Sequence, residues 1–201
     1  LSMSNHLYDT LFAKHEGSDR IFLRLKDGKT ITHRAFLDQV ARFANTIHQQ
    51  GVSVGALSAV QVAKSPEALA VYAACVRAGA IFLPLNTAYM ADEVDYFIDD
   101  AEAKLVLCDA ASHAALAPVV EQHGACLMTL NADGTGSFAD TAENASTTFD
   151  TVSRGADDLA AFLYTSGTTG RSKGAMLSHE NLLSNAQVLE TYWGFTHADV
   201  L

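Results

Sequence analysis

Residues 164–173, with the sequence YTSGTTGRSK, bring glycine, hydroxyl and cationic residues together in one short stretch. Gly167 and Gly170 let successive backbone N–H groups turn towards a common point, which creates a concave binding site for an anion. Hydroxyl donors and cations lie around these glycines: Thr165, Ser166, Thr168, Thr169, Arg171 and Lys173. The combination predicts a loop that holds the phosphate groups of a ligand.

The same residue types occur in Walker A loops and in flexible linkers. In a Walker A loop a glycine precedes the lysine and a Ser or Thr follows it. Here Ser172 precedes Lys173 and Gly174 follows it, so the stretch is not of that type. Linkers commonly use Gly, Ser and Thr, but this stretch is short and lies between apolar segments that must pack. A phosphate-binding loop is therefore favoured, with a linker as the alternative.

The chain before this loop alternates between apolar runs and amphipathic segments. One helix is delimited by Ser65 as N-cap, Pro66 at its first position and Gly79 at its end. The pattern predicts strands over 56–62, 81–86, 104–109 and 126–130, and helices over 66–79, 91–101 and 112–123. This alternation predicts an α/β fold with a mostly parallel sheet and helices on both faces, because parallel neighbours need a crossover connection.

Other segments complete the predicted outline. Residues 20–31 predict a β-hairpin, and Thr32 predicts the start of the helix that follows it. Turn-forming residues fill 131–146, which predicts a surface loop with at most a short helix.

The phosphate-binding loop lies between two predicted strands, over 157–165 and 174–178. Ser178 then caps a helix. Tyr192 and Trp193 end that helix on its apolar side, so both are expected to pack in the core.

Composition excludes several classes of protein. Of the 201 residues 49% are apolar, which is enough to bury a sizeable core. The 13 Lys and Arg residues are scattered and the net charge is −10, which argues against a nucleic-acid partner. No apolar run approaches the ~20 residues of a membrane span. Cys75, Cys108 and Cys126 lie far apart in apolar segments, which predicts core thiols in a reducing, cytoplasmic compartment.

Other polar residues give weaker signals. His179 follows the N-cap of a predicted helix and is expected to be a surface or packing residue rather than a base. Asp99-Asp100 and Asp157-Asp158 are acidic pairs, but adjacent residues do not face one target, so we expect solvated carboxylates. The remaining histidines show no metal-ligand spacing.

Residues 164–182, YTSGTTGRSKGAMLSHENL, resemble the phosphate-binding loop of the adenylate-forming enzymes. This superfamily includes acyl-CoA synthetases, luciferases and nonribosomal-peptide adenylation domains. Ten of the eleven positions fit its usual pattern, (Y/F)-T-S-G-(S/T)-T-G-x-P-K-G, and Ser172 stands in place of the proline. The resemblance continues upstream over nearly the whole chain. Within the superfamily, the segments LPLNTAY, EVDYF and RSKGAMLSH are most similar to malonyl-CoA synthetases.

The resemblance implies a two-step ligase that uses ATP, Mg²⁺ and coenzyme A. A carboxylate attacks the α-phosphorus of ATP to give an acyl-adenylate and pyrophosphate, and the thiol of coenzyme A then displaces AMP. The implied substrate is malonate or a similar small carboxylic acid. The residues matched to phosphate contacts are Thr165, Ser166, Gly167, Thr168, Thr169, Gly170 and Lys173, and Thr165 is also expected to help place Mg²⁺.

By the same resemblance, residues 1–201 correspond to an incomplete N-terminal domain of an AMP-binding enzyme, and Leu1 and Ser2 are interpreted as residues left from cloning. The family's adenine and ribose motifs, and its C-terminal lid with the catalytic lysine, follow the matched segment. No catalytic residue is therefore assigned, and the 201-residue chain alone is expected to form neither adenylate nor thioester. Two alternatives stay open: an adenylation domain that loads a carrier protein, and a nucleotide-binding module without ligase activity.

Overall fold

A six-stranded sheet lies at the centre of the computed structural model, which describes residues 5–165 and 172–200. The strands of the protein, including a separate hairpin of β1 and β2, are β1 (Ile21–Arg24), β2 (Thr30–Thr32), β3 (Leu57–Gln61), β4 (Ile81–Pro84), β5 (Leu105–Cys108), β6 (Cys126–Thr129), β7 (Leu159–Thr165) and β8 (Lys173–Ser178). The order in the sheet is β6-β5-β3-β4-β7-β8. All neighbours are parallel except β7 and β8, which are antiparallel.

Helices cover both faces of the sheet. They are α1 (His6–Leu11), α2 (His33–Gln49), α3 (Pro66–Ala78), α4 (Ala91–Ala101), α5 (Ala110–Gln122), α6 (Ser137–Glu143) and α7 (His179–Trp193). Side chains of β5 alternate between two cores: Leu105 and Leu107 join the core of α2 and α3, whereas Val106 and Cys108 join that of α4 and α5. This confirms the predicted α/β fold. No helix in the described residues is long and apolar enough to cross a membrane.

Capping groups explain where several helices begin and end. The Ser65 hydroxyl accepts a hydrogen bond of 3.0 Å from a backbone N–H in the first turn of α3. Gly79 closes α3 with a φ of 69°, and a Cβ there would lie 2.9 Å from the Val152 side chain, so conformation and space both require glycine. Thr32 and Ser178 cap α2 and α7 in the same way as Ser65, as the sequence predicts.

The segment predicted as a surface loop, residues 131–146, contributes to the core. The prediction of at most a short helix allows for α6, but the burial of Phe138 and Ala142 in this helix differs from the surface position that was predicted. Phe138 of α6 is fully buried, and its ring centroid lies 4.9 Å from that of Phe43 in α2. A single aromatic residue among turn formers gives no periodic signal, which is why the sequence did not indicate this contact.

A buried arginine joins the segment after α6 to the helices. Arg77, near the end of α3, is 8% exposed, and its guanidinium donates to the Thr151 hydroxyl at 3.2 Å and the Phe149 carbonyl at 3.0 Å. The same group pairs with Glu16 at 3.2 Å and lies 4.9 Å from the centre of the Tyr8 ring. Because a buried charge is costly unless it is paired and hydrogen-bonded, Arg77 fixes these chain segments against α3.

All three cysteines are free thiols, as expected from their spacing. Cys75 and Cys108 are buried, and Cys126 is half-buried. Burial raises the pKa of the Cys75 thiol to about 12 and that of Cys108 to about 11. Thiols with such pKa values stay protonated at neutral pH and act as small apolar core residues.

Helix α7 is buried at its start and exposed at its end. His179, the first residue, is fully buried, whereas Tyr192 and Trp193 are 82% and 61% exposed. The expectation that Tyr192 and Trp193 pack in the core is therefore wrong for this structure. Helical periodicity places these residues on one stripe, but it does not say which surface lies against that stripe.

His179 has the packing role that the sequence favours over a role as a base. Its Nδ1 accepts a hydrogen bond of 3.4 Å from the backbone N–H of Leu7, and its Nε2 has no hydrogen-bond partner among the described residues. Burial lowers the pKa of His179 to about 4, with a smaller lowering by the nearby Arg154 charge that Asp158 partly opposes. The ring is therefore neutral at pH 7 and holds α7 against α1.

We predict that His179 makes the protein less stable in weak acid. Its pKa is about 4 in the folded state against 6.5 when exposed, so below pH 6.5 the unfolded chain takes up a proton that the folded protein excludes. The free energy of unfolding should fall between pH 6.5 and pH 4, by at most about 3 kcal/mol from this group. Urea unfolding at several pH values measures this slope in the wild type and in His179→Asn.

The His179→Asn variant should show a smaller loss of stability over that range than the wild type. His113 is exposed on α5, so His113→Asn is the matched control and should keep the wild-type slope. Equal slopes in all three proteins would show that His179 does not carry this pH dependence.

Candidate active site

The two strands β7 and β8 bring the ends of the predicted phosphate-binding loop together. Thr165, the last residue of β7, pairs with Lys173, the first residue of β8. The Thr165 hydroxyl donates to the Lys173 carbonyl at 3.4 Å, and both residues are exposed. The other predicted phosphate contacts, Ser166, Gly167, Thr168, Thr169 and Gly170, lie outside the described residues, as does Arg171.

The loop begins at the edge of the sheet where parallel strands end. Strand β7 runs parallel to β4, which runs parallel to β3, and β3 runs parallel to β5. Thr165 therefore lies at the same edge as the carboxyl ends of these strands. Open α/β sheets bind ligands in the crevice beyond this edge. Its position in the fold therefore agrees with a role for this loop in ligand binding.

The Lys173 side chain is accessible to an anionic ligand. It is exposed, and it forms no ion pair with any of the residues in 5–165 and 172–200. Its ammonium group is a compact point charge on a flexible stem, which suits phosphate oxygens. Beside it, the exposed Thr165 hydroxyl is a hard oxygen ligand of the type that Mg²⁺ takes, so these two residues fit a magnesium nucleotide.

Gly174 has a packing role in the β7–β8 hairpin. An added Cβ would lie 2.1 Å from Cε1 and 2.3 Å from Cζ of the Phe162 ring, far closer than real atoms approach. Phe162 lies on β7 and Gly174 on β8, one residue from the loop. A glycine after the lysine thus lets the Phe162 ring lie against β8 in its present position.

Aromatic side chains from α4 and β7 pack together close to the ends of the loop. The ring centroid of Tyr164 lies 4.3 Å from that of Phe97, 5.2 Å from that of Phe162 and 6.1 Å from that of Tyr96. Aromatic contacts of this kind add to the free energy gained by burial. The residue just before Thr165 is consequently held in place by side-chain packing as well as by strand pairing.

Two hydroxyls at this cluster make hydrogen bonds that the sequence did not indicate. Tyr164 donates to Asp100 Oδ2 at 2.6 Å, and Tyr96 donates to the Ser172 carbonyl at 3.1 Å. Burial, and then the hydrogen bond to Asp100, raise the pKa of Tyr164, so this group stays a protonated donor at neutral pH. The spacing of Tyr96 and Asp100, four residues apart, places both on one face of a helix, but it does not identify Ser172 or Tyr164 as their partners.

The acidic pairs serve separate local contacts rather than a common target, as the sequence predicts. Asp99 is exposed, with Oδ1 3.6 Å from His123 Nδ1, whereas Asp100 accepts the Tyr164 hydrogen bond. In the second pair, Asp158 accepts a hydrogen bond of 2.7 Å from the backbone N–H of Gly155. Neither pair therefore forms a two-carboxylate catalytic site.

Known proteins similar to this chain support the fold and show its family. The family model described as AMP-binding enzyme matches residues 11–201. The structure of apo MatB from Rhodopseudomonas palustris superposes with a TM-score of 0.92 and 48% sequence identity, over 96% of this chain and 38% of MatB. Oxalate–CoA ligase from Arabidopsis thaliana is 30% identical over 187 residues, which cover 90% of this chain and 36% of that ligase.

A peptide synthetase also shares this region. Tyrocidine synthase 3 from Brevibacillus parabrevis is 32% identical over 155 residues, or 77% of this chain and 2% of that synthetase. The chain thus spans little more than a third of the length of MatB and of the oxalate–CoA ligase, and a far smaller share of the peptide synthetase. The family match extends over nearly all of the chain, and the chain belongs to the AMP-binding enzyme family.

Proposed function

We propose that this chain is the first part of an AMP-forming acyl-CoA synthetase whose substrate is malonate or a similar short carboxylic acid. The observation that carries the proposal is the pairing of Thr165 with Lys173 at the carboxyl edge of the sheet, at the two ends of the sequence TSGTTGRSK. The family match and the existence of an ATP-bound MatB structure support ATP as the nucleotide.

In the proposed first step, the substrate carboxylate oxygen forms a bond to the α-phosphorus of ATP. The bond from that phosphorus to the β-phosphate oxygen breaks, and its electron pair leaves with pyrophosphate. Lys173 offsets the growing negative charge on this leaving group, while the hydroxyls and backbone N–H groups of Thr165–Gly170 hold it in line for departure. Magnesium, held with the help of Thr165, would neutralise further phosphate charge when bound.

In the proposed second step, the sulfur of coenzyme A attacks the acyl carbon of the adenylate. A thioester forms, the thiol proton is released to solvent, the bond from that carbon to the phosphate oxygen of AMP breaks, and AMP leaves with the electron pair. Of the described residues, we assign none to this step. Within the described residues, we assign Thr165 and Lys173 direct roles in the first step, and the strands that carry them position the phosphate-binding loop.

A second candidate is an adenylation domain that transfers its acyl group to a carrier protein. The 32% identity with tyrocidine synthase 3 favours this alternative. Both activities begin with the same adenylate, so the proposed roles of Thr165 and Lys173 are the same in both. Thioester formation with free coenzyme A or with a phosphopantetheine-bearing carrier protein distinguishes them.

We predict that Lys173→Ala slows adenylate formation in the complete ligase by about 10² or more, because a charge directed at the leaving pyrophosphate is lost. The free energy of unfolding should change by less than about 0.5 kcal/mol, since this side chain is exposed and unpaired among the described residues. ATP–pyrophosphate exchange measures the rate. Lys104→Ala is the control. It removes an exposed lysine just before β5, at the amino ends of the parallel strands and so at the far end of the sheet from the loop, and it should leave exchange unchanged. Wild-type exchange in Lys173→Ala would rule out the assigned role.

We also predict that malonate gives the highest kcat/KM, methylmalonate a lower one, and acetate and long-chain fatty acids very little. A site that pairs with a second carboxylate leaves polar groups unsatisfied when a monocarboxylate binds, which costs a factor of ~10⁴ in comparable cases. The segments LPLNTAY, EVDYF and RSKGAMLSH motivate this choice. Steady-state rates on malonate, acetate, butyrate and a medium-chain acid decide it. A preference for any monocarboxylate would refute malonate and leave the ligase proposal standing.

A further inference from the structure

Helix α4 contacts the chain at both ends of the phosphate-binding loop. Tyr96 and Asp100 are four residues apart on this helix and so lie on one face. Tyr96 donates its hydroxyl proton to the Ser172 carbonyl at 3.1 Å, directly before Lys173. Asp100 accepts a hydrogen bond of 2.6 Å from Tyr164, directly before Thr165. One turn of α4 is therefore hydrogen-bonded to Tyr164, directly before the first residue of the loop, and to Ser172, directly before its last residue.

Helix α4 is itself firmly anchored. Its Val94, Phe97 and Ile98 side chains are buried in the core shared with α5. His123 at the end of α5 lies 2.6 Å from Asp95 Oδ1. The Glu93 side chain accepts a hydrogen bond of 2.8 Å from the backbone N–H at the start of the helix. The helix that carries Tyr96 and Asp100 is thus held against α5 and the sheet by buried side chains and by a hydrogen bond at its first turn.

The Tyr96 hydrogen bond acts on the peptide unit that carries the Lys173 nitrogen. A peptide group is planar, so fixing the direction of the Ser172 carbonyl also fixes the direction of the N–H group of Lys173. The side chain of Lys173 leaves the backbone from the next atom. A change in the orientation of the Ser172–Lys173 peptide plane would therefore move both the backbone N–H and the ammonium group of Lys173 relative to the phosphates.

We infer that Tyr96 is a positioning residue for nucleotide binding, which acts through the Ser172–Lys173 peptide and not by touching the substrate. This inference rests on the proposed function of the loop. A tyrosine that only filled the core would need its ring and not its hydroxyl. Removing the hydroxyl alone should therefore separate the two roles.

Tyr96→Phe keeps the ring that packs 5.5 Å from Phe97 and removes the hydroxyl. Tyr89→Phe is the matched control, because Tyr89 lies 5.0 Å from the same Phe97 ring and its hydroxyl forms no hydrogen bond with a described residue. In the complete ligase, kcat/KM for ATP in pyrophosphate exchange should fall roughly fivefold to tenfold in Tyr96→Phe, as expected for one lost hydrogen bond. The KM for the carboxylate and the midpoint of thermal unfolding should match those of Tyr89→Phe.

The inference is overturned if Tyr96→Phe matches Tyr89→Phe in kcat/KM for ATP. It is also overturned if Tyr96→Phe lowers kcat/KM for ATP and kcat/KM for the carboxylate by the same factor, and if that factor equals the loss of folded enzyme. Calorimetric titration with ATP gives a readout without turnover, in which the Kd should rise by the same factor in Tyr96→Phe alone. If the wild type binds ATP but shows no exchange with any carboxylate, the proposed function fails and this titration still decides the inference. A wild type that does not bind ATP refutes both.

Discussion

Parallel pairing of β3, β4 and β5 is the constraint on which the rest of the structure depends. Parallel neighbours cannot be joined by a tight turn, so each must be followed by a crossover helix, and here α3 lies on one face while α4 and α5 lie on the other. Strand β5, which is buried on both faces, is consequently apolar throughout, and the carboxyl ends of the three strands lie at the same end of the sheet. The phosphate-binding loop reaches that edge because β7 joins the sheet in the same direction.

The features that the sequence predicted are those that neighbouring residues decide. Ser65 and Gly79 terminate a helix through contacts within a few residues, and the β5 pattern of apolar residues is complete within one short segment. The predicted phosphate-binding loop is also defined by neighbouring residues, because its glycines, hydroxyls and lysine are contiguous, and its role in binding phosphate stays a prediction. Its match to a family pattern needed no knowledge of tertiary structure.

The features that the sequence did not predict join residues far apart in the chain. Tyr96 reaches a carbonyl 76 residues later, and Arg77 holds a carbonyl 72 residues later. No periodicity or turn signal specifies such partners, since they depend on how helices are placed against the sheet. The prediction that Tyr192 and Trp193 pack in the core is wrong for a related reason, because an apolar stripe on a helix does not identify the surface that covers it.

Phe162 and Gly174 are twelve residues apart in the sequence, but the Phe162 ring lies where a side chain at residue 174 would be. The ring occupies the space that a Cβ at residue 174 would need, so a larger residue there requires the Phe162 ring to turn aside or residue 162 to become smaller. Substitution at residue 174 therefore depends on residue 162, because a side chain added at residue 174 displaces the ring unless residue 162 is made smaller in the same variant. Engineering of this hairpin has to consider the two positions together.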